Sequence, residues 1–166
     1  MRTFLICIGI IFLFTSFADQ TFDQMASKMG KGKAPFLKTK ELKELQVIEK
    51  GLLILDTREP KEYKISHIKN AIYVGYDNFS ISSMSKYSKS GVTIVCYCSV
   101  GYRSQKIAEK LLKSGYKKVY NLYGVIFNWV NEGNAIEDSN GNETKKIHGY
   151  SKDWSKWLTK GEKVFN

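Results

Sequence analysis

Cys98-Ser99-Val100-Gly101-Tyr102-Arg103 places a thiol and a guanidinium on either side of four residues, a glycine among them. Upstream, Val92-Thr93-Ile94-Val95-Cys96-Tyr97 is apolar and β-branched almost throughout, the pattern of a strand covered on both faces of a parallel sheet. Downstream, Ser104 is a candidate N-cap, and Ile107, Ala108, Leu111 and Leu112 recur at helical spacing until Gly115 offers a stop. Cys98 is therefore expected at a strand's carboxyl end, in a loop that opens onto a helix N-terminus. Ligands of open α/β sheets collect beyond such strand ends, and a helix N-terminus presents unpaired N–H groups and partial positive charge. Both features favour a thiolate or a bound anion at Cys98. The bare spacing fits equally a buried strand-end cysteine with a surface arginine nearby, so the surrounding elements must decide.

A second strand, Leu52-Leu53-Ile54-Leu55, runs directly into Asp56-Thr57-Arg58-Glu59-Pro60, followed by Glu62 and by His67-Ile68-Lys69-Asn70-Ala71. Asp56 and Arg58 read as an ion pair bracing the loop, or simply as the start of a short helix; Glu62 could pair with Arg58 across a helical turn. His67, within Ser66-His67-Ile68, reads as a hydrogen-bonded scaffold residue. Further elements are expected as a helix from a Thr39 cap to Lys50 with Leu42, Leu45 and Ile48 inward, and strands at Ala71 to Val74 and Lys118 to Leu122. The serine-rich stretch Ser80 to Ser90 reads as helix or loop, and Gly124 as the turn into a short helix holding Phe127, Trp129 and Val130. Strands alternating with helices predict a single α/β domain, a parallel sheet flanked by helices.

Asp56, Arg58, Glu62, His67, Ile68, Ala71, Cys98, Gly101 and Arg103, in that order, resemble the rhodanese family: an apolar strand, Asp-x-Arg, a helical Glu, a His-Ile segment, then Cys-x-x-Gly-x-Arg before a helix. The resemblance covers about residues 38 to 135. It departs where Ser66 and Asn70 replace glycines usual around His-Ile, and where Tyr123-Gly124-Val125 stands for a frequent Gly-Gly pair. The activity this resemblance implies is thiosulfate-type sulfur transfer. Cys98 would attack the sulfane sulfur of a small anionic donor, carry it as a persulfide, and release it to a thiol or cyanide acceptor. Backbone N–H groups of Ser99 through Arg103 would stabilise the anionic sulfur, Gly101 permitting the curl. Arg103 would contact the anion, tie the loop, or both. Ser99, Val100 and Tyr102 would project at the mouth. No cofactor is called for.

Two other classes stay open on the residues: a protein-binding module on the same fold, disfavoured by the intact Cys98 and Arg103, and a phosphatase or arsenate reductase. Related cell-cycle phosphatases carry five residues between cysteine and arginine, one more than this loop. Cys96 lies two strand residues before Cys98, roughly 6.5 Å away, near the limit for a disulfide, and reads as buried. No metal site is expected, because His67 and His148 are the only histidines and Cys-x-Cys lacks the paired zinc spacing.

Met1-Arg2-Thr3 and the apolar run Phe4 to Phe14, then Ser16-Phe17-Ala18, read as a signal peptide over 1–18 cleaved before Asp19. Cleavage would remove Cys7 and leave an exported, periplasmic or secreted protein with no stable membrane anchor. Residues 19–35, including Lys28-Met29-Gly30-Lys31-Gly32-Lys33, read as a linker, and 36–135 as the rhodanese-like domain. Residues 136–166 read as an extension packed on it through Trp154 and Trp157. A net charge of +10 suits small anions. With export and no recognisable motif, nucleic acid is not expected as a partner.

Overall fold

Short strands, fully buried at the central one and partly exposed toward the edges, assemble into one parallel sheet whose carboxyl ends carry the loops of interest. The computed structural model describes residues 21–165. Its elements are α1 (Phe22–Met29), β1 (Phe36–Leu37), α2 (Thr39–Ile48), β2 (Leu52–Asp56), α3 (Pro60–Ile65), β3 (His67–Ile68) and β4 (Ile72–Tyr73), then a 3-10 turn at Ile81–Met84. There follow β5 (Thr93–Tyr97), α4 (Tyr102–Lys113), β6 (Lys118–Leu122), α5 (Val125–Asn131), β7 (Ile136–Glu137), β8 (Glu143–Thr144), β9 (Lys146–His148), α6 (Lys152–Ser155) and β10 (Glu162–Val164). The main sheet has the order β1-β6-β5-β2-β4, with every neighbouring pair parallel.

The central strand β5 is buried along its whole length, as its unbroken apolar run requires. Its side chains alternate between the two faces. Val95 and Tyr97 enter a core with Leu42, Ile54, Ile126 and Phe127. Ile94 and Cys96 enter another with Leu55, Ile107 and Leu111. The register sets Asp56 of β2 beside Tyr97 of β5, so the Asp56 and Cys98 loops leave the sheet side by side.

The exposed linker expected over 19–35 is corrected by α1. Thr21 and Gln24 cap each other's backbone N–H groups at 3.2 and 3.0 Å, a capping box. Met25 and Ala26 are buried, and Phe22 meets Trp157 edge to face. The lysines and glycines around this amphipathic turn masked it. At α2 the N-cap position is Lys38, not Thr39; the buried Thr39 instead accepts a hydrogen bond from Asn128. Ile48 is exposed rather than inward, because the last turn of α2 runs past the edge of the core. The leader expected over 1–18 and its cleavage point lie outside the described residues.

Beyond α5, β9 and β10 form a two-stranded parallel ribbon. Ile147 and Leu158 are buried in the Tyr97 core, with Trp154 and Trp157 packed against it. The ribbon lies against α3, which positions one end of the site.

Candidate active site

A strand end, a left-handed glycine and a helix start converge on one sulfur. Cys98 leaves β5 fully buried. Gly101, at φ +101°, turns its N–H back to within 3.0 Å of Cys98 Sγ. Ser104 Oγ lies 3.4 Å from the same sulfur and 3.2 Å from the Gly101 carbonyl oxygen, its one proton shared between the two acceptors. Helix α4 begins at Tyr102 with Gly101 as its N-cap, so Ser104 is not the cap but a first-turn hydroxyl aimed at the thiol. A backbone N–H, a hydroxyl and the positive end of a twelve-residue helix thus surround Cys98, an arrangement that stabilises anionic sulfur.

The glycine is required twice over. Its backbone angle is one that side chains rarely adopt, and a Cβ there would stand 3.2 and 3.3 Å from the N and Cα of Gly30, just past α1. Gly101→Ala is expected to lower stability by about 1–3 kcal/mol, read as a lower urea midpoint, and to slow any reaction at Cys98 by misaiming the N–H.

Arg103 ties the loop to α3. Its Nη1 donates to Glu62 Oε2 at 2.8 Å and its Nη2 to Glu62 Oε1 at 3.1 Å, a bidentate pair, while Ser99 Oγ donates to Glu62 Oε1 at 2.6 Å. Glu62 Oε2 also accepts the Glu59 N–H at 2.9 Å, which opens α3. The pairing of Glu62 with Arg58 allowed by their spacing is therefore replaced by one with Arg103, 41 residues on. Ser99 and Val100 are corrected likewise: both are buried, Ser99 on Glu62 and Val100 against Met25 and Val125, leaving only Tyr102 exposed at the mouth. Burial alone would raise the Glu62 pKa. The bonds and charge of Arg103, then the charge of Arg58 and the Ser99 bond, outweigh it and hold the carboxylate at about 2.

Asp56 and Arg58 form the expected ion pair, both fully buried, with Nη2 2.6 Å from Oδ2. Tyr97, the residue before Cys98, donates its hydroxyl to Asp56 Oδ2 at 2.6 Å, and Arg58 Nη2 reaches the Ser66 carbonyl at 2.6 Å. The pair braces the root of the Cys98 loop and the corner after α3. His67 stands in that corner, stacked on Tyr63 with its Nδ1 3.1 Å from the Tyr63 carbonyl oxygen.

Glu62, Ser104 and Tyr150 were not marked as site residues by the sequence. Pro60 after a strand signals a helix start with Glu62 in its first turn, but the local pattern does not name its distant partner. Nothing in the sequence announces Tyr150, which the extension places over the Arg103 guanidinium at 5.0 Å. Tyr150 adopts φ +64°, and its N–H donates to Nδ1 of His148 at 3.0 Å. Burial, foremost, lowers the His148 pKa.

Residues 38–132 match the family described as the rhodanese-like domain. Over 86 residues the chain is 30% identical to a thiosulfate sulfurtransferase GlpE of Coxiella burnetii, an alignment spanning 50% of this chain and 76% of that protein. Over 116 residues it is 32% identical to a tRNA uridine(34) hydroxylase of Photorhabdus laumondii, spanning 67% of this chain but only 31% of that longer protein. The crystal structure of a rhodanese-like domain protein from Staphylococcus aureus superposes with a TM-score of 0.54 at 27% identity, covering 63% of this chain and 98% of that one. Proteins similar to this chain thus include a sulfurtransferase and a related tRNA-modifying enzyme.

Proposed function

The chain belongs to the rhodanese-like domain family, and from that premise we propose that it is a sulfurtransferase carrying a sulfane sulfur on Cys98. The observation that supports this reading is the convergence of the Gly101 N–H and the Ser104 hydroxyl on one buried sulfur at the N-terminus of α4.

With thiosulfate as donor, the Cys98 thiolate attacks the outer sulfur. The new S–S bond forms as the old one breaks, the bonding pair leaves with sulfite, and the enzyme is left with Cys98–S–S⁻. Charge is conserved, and neither a base nor an oxidant is needed. The same N–H and hydroxyl then face the persulfide, whose negative charge has moved one atom outward. A thiolate acceptor takes the outer sulfur by the reverse logic, forming its own persulfide and restoring the Cys98 thiolate. Cyanide would do the same and leave as thiocyanate. Arg103, fully engaged with Glu62 through both terminal nitrogens, acts by fixing the loop rather than by grasping the anion.

The test is to incubate the full chain with thiosulfate and measure sulfite and intact mass. One sulfite released and one sulfur gained per chain, the sulfur mapped to Cys98, is the expected result. No sulfite and no added mass with thiosulfate or polysulfide would refute the reading. The relatives that modify tRNA are about three times longer than the stretch they share with this chain, so their activity is not carried over.

A further inference from the structure

Among the described residues a wide cleft lies outside the sulfur site, along the exposed side of α4. It holds about 630 Å³ and is walled by Tyr76, Leu112 and four lysines, Lys33, Lys106, Lys110 and Lys113. This volume is in the range of clefts that enclose small ligands. The walls are mainly apolar, made of a ring, a leucine and lysine stems, while the ammonium groups stand at the rim. Glu109 is the one acidic residue in the lining, and it is already taken: its Oε1 accepts the Lys33 N–H at 2.9 Å, and its Oε2 lies 3.4 Å from Lys106 Nζ.

The aromatic groups give the cleft a second preference. Tyr76, in the wall, packs on Tyr102 just outside it, with ring centroids 6.4 Å apart and planes tilted by 56°. Lys110 Nζ lies 5.9 Å from the Tyr76 ring centre and Lys106 Nζ 5.8 Å from that of Tyr102. Each cation is attracted by a ring face, which holds the ammonium groups beside the two rings. A ligand with a flat ring for Tyr76 and two or three negative charges for the lysines, within a few hundred cubic ångströms, would use both features of the wall. We propose that this cleft binds a small molecule of the nucleoside-phosphate class, ring toward Tyr76 and phosphates toward Lys106, Lys110 and Lys113. A cleft of this volume, partly open to solvent, matches such a ligand in size, whereas an acidic protein partner would need a contact of about 800 Å² on this side.

The test titrates the full chain with ADP by calorimetry at low and at physiological salt, with pyrophosphate and an eight-residue oligothymidylate as the other probes. Saturable binding of ADP is expected, with half-saturation below about 1 mM at low salt. K106A/K110A, which replaces two surface side chains, is expected to weaken ADP and pyrophosphate at least tenfold; Tyr76→Ala is expected to weaken ADP severalfold and leave pyrophosphate unchanged. Sulfite release from thiosulfate should be unaltered in K106A/K110A, so a failure of this proposal is separable from a failure of sulfur transfer at Cys98. The proposal is overturned by absence of saturable ADP binding, by equal ADP affinity in K106A/K110A, or by an oligothymidylate that binds while ADP does not.

Discussion

Cys98→Ser is expected to reduce both sulfite release and persulfide formation to the background of a reaction without protein, while Cys96→Ser keeps most of the activity. The contrast follows from where β5 ends. Cys96 points into the Ile94, Ile107 and Leu111 core, fully buried, and burial followed by the neighbouring Cys98 charge pushes its thiol well up, so it stays protonated at any working pH. A protonated, packed thiol is a poor nucleophile and serves as a small apolar side chain. Cys98, two residues on, receives the Gly101 N–H and the Ser104 hydroxyl instead. Serine at 98 would keep the hydrogen bonds and lose the polarisable sulfur that attacks and leaves at neutral pH. The shape of the loop is thus preserved while its chemistry is removed. The measurement is single-turnover sulfite release for the two variants, with peptide mapping of the added sulfur. Equal losses in the two, or sulfur mapped to Cys96, would overturn the roles assigned here.

The fold was legible where a single physical pattern decided it. The apolar runs ending at Asp56 and Tyr97 suited covered strands, and their parallel pairing followed from the helices between them. Local pattern also marked the glycine that curls the loop, since Gly101 is where a positive φ is tolerated without cost. What escaped was long-range pairing of polar groups. Glu62 belongs with Arg103 rather than with Arg58 because Asp56, fixed in register beside Tyr97, already occupies the Arg58 guanidinium. Sequence distance favoured the near partner; the sheet register delivered the far one. Likewise α1 escaped because its apolar stripe is only two turns long, and its burial depends on the Gly101 and Tyr123 surfaces that the rest of the fold supplies. Ser99 was read as a mouth residue by its place in a loop, although a carboxylate 37 residues upstream draws it inward.

Removal of the Glu62 charge is expected to give the largest loss of stability among changes that leave the reacting sulfur in place. Glu62 is nearly inaccessible, and its two oxygens serve both Arg103 terminal nitrogens, the Ser99 hydroxyl and the Glu59 N–H. Glu62→Gln keeps the size but offers one acceptor where two were used, and it leaves the Arg103 cation buried without its counter-charge. Breaking a buried pair in this way costs about 3–5 kcal/mol. A pH signature separates the charge from the packing. In the folded protein the Glu62 carboxyl is held at about 2, against an ordinary 4.5. A folded value below the unfolded one means that the unfolded chain binds the proton more readily. The contribution is therefore fully present above about pH 4.5 and is lost as the pH falls through that value toward 2. The depression corresponds to about 3 kcal/mol across that window. Urea midpoints measured from pH 7 to pH 3 should fall steeply in the parent chain and less steeply in Glu62→Gln, the gap between the two curves narrowing toward the acid end. Parallel curves would show that the loop depends on the shape of the side chain at position 62 and not on its charge. With the tie loosened, Ser99 through Arg103 lose their common anchor on α3, so the variant should also release sulfite more slowly from thiosulfate, its Gly101 N–H no longer held toward Cys98.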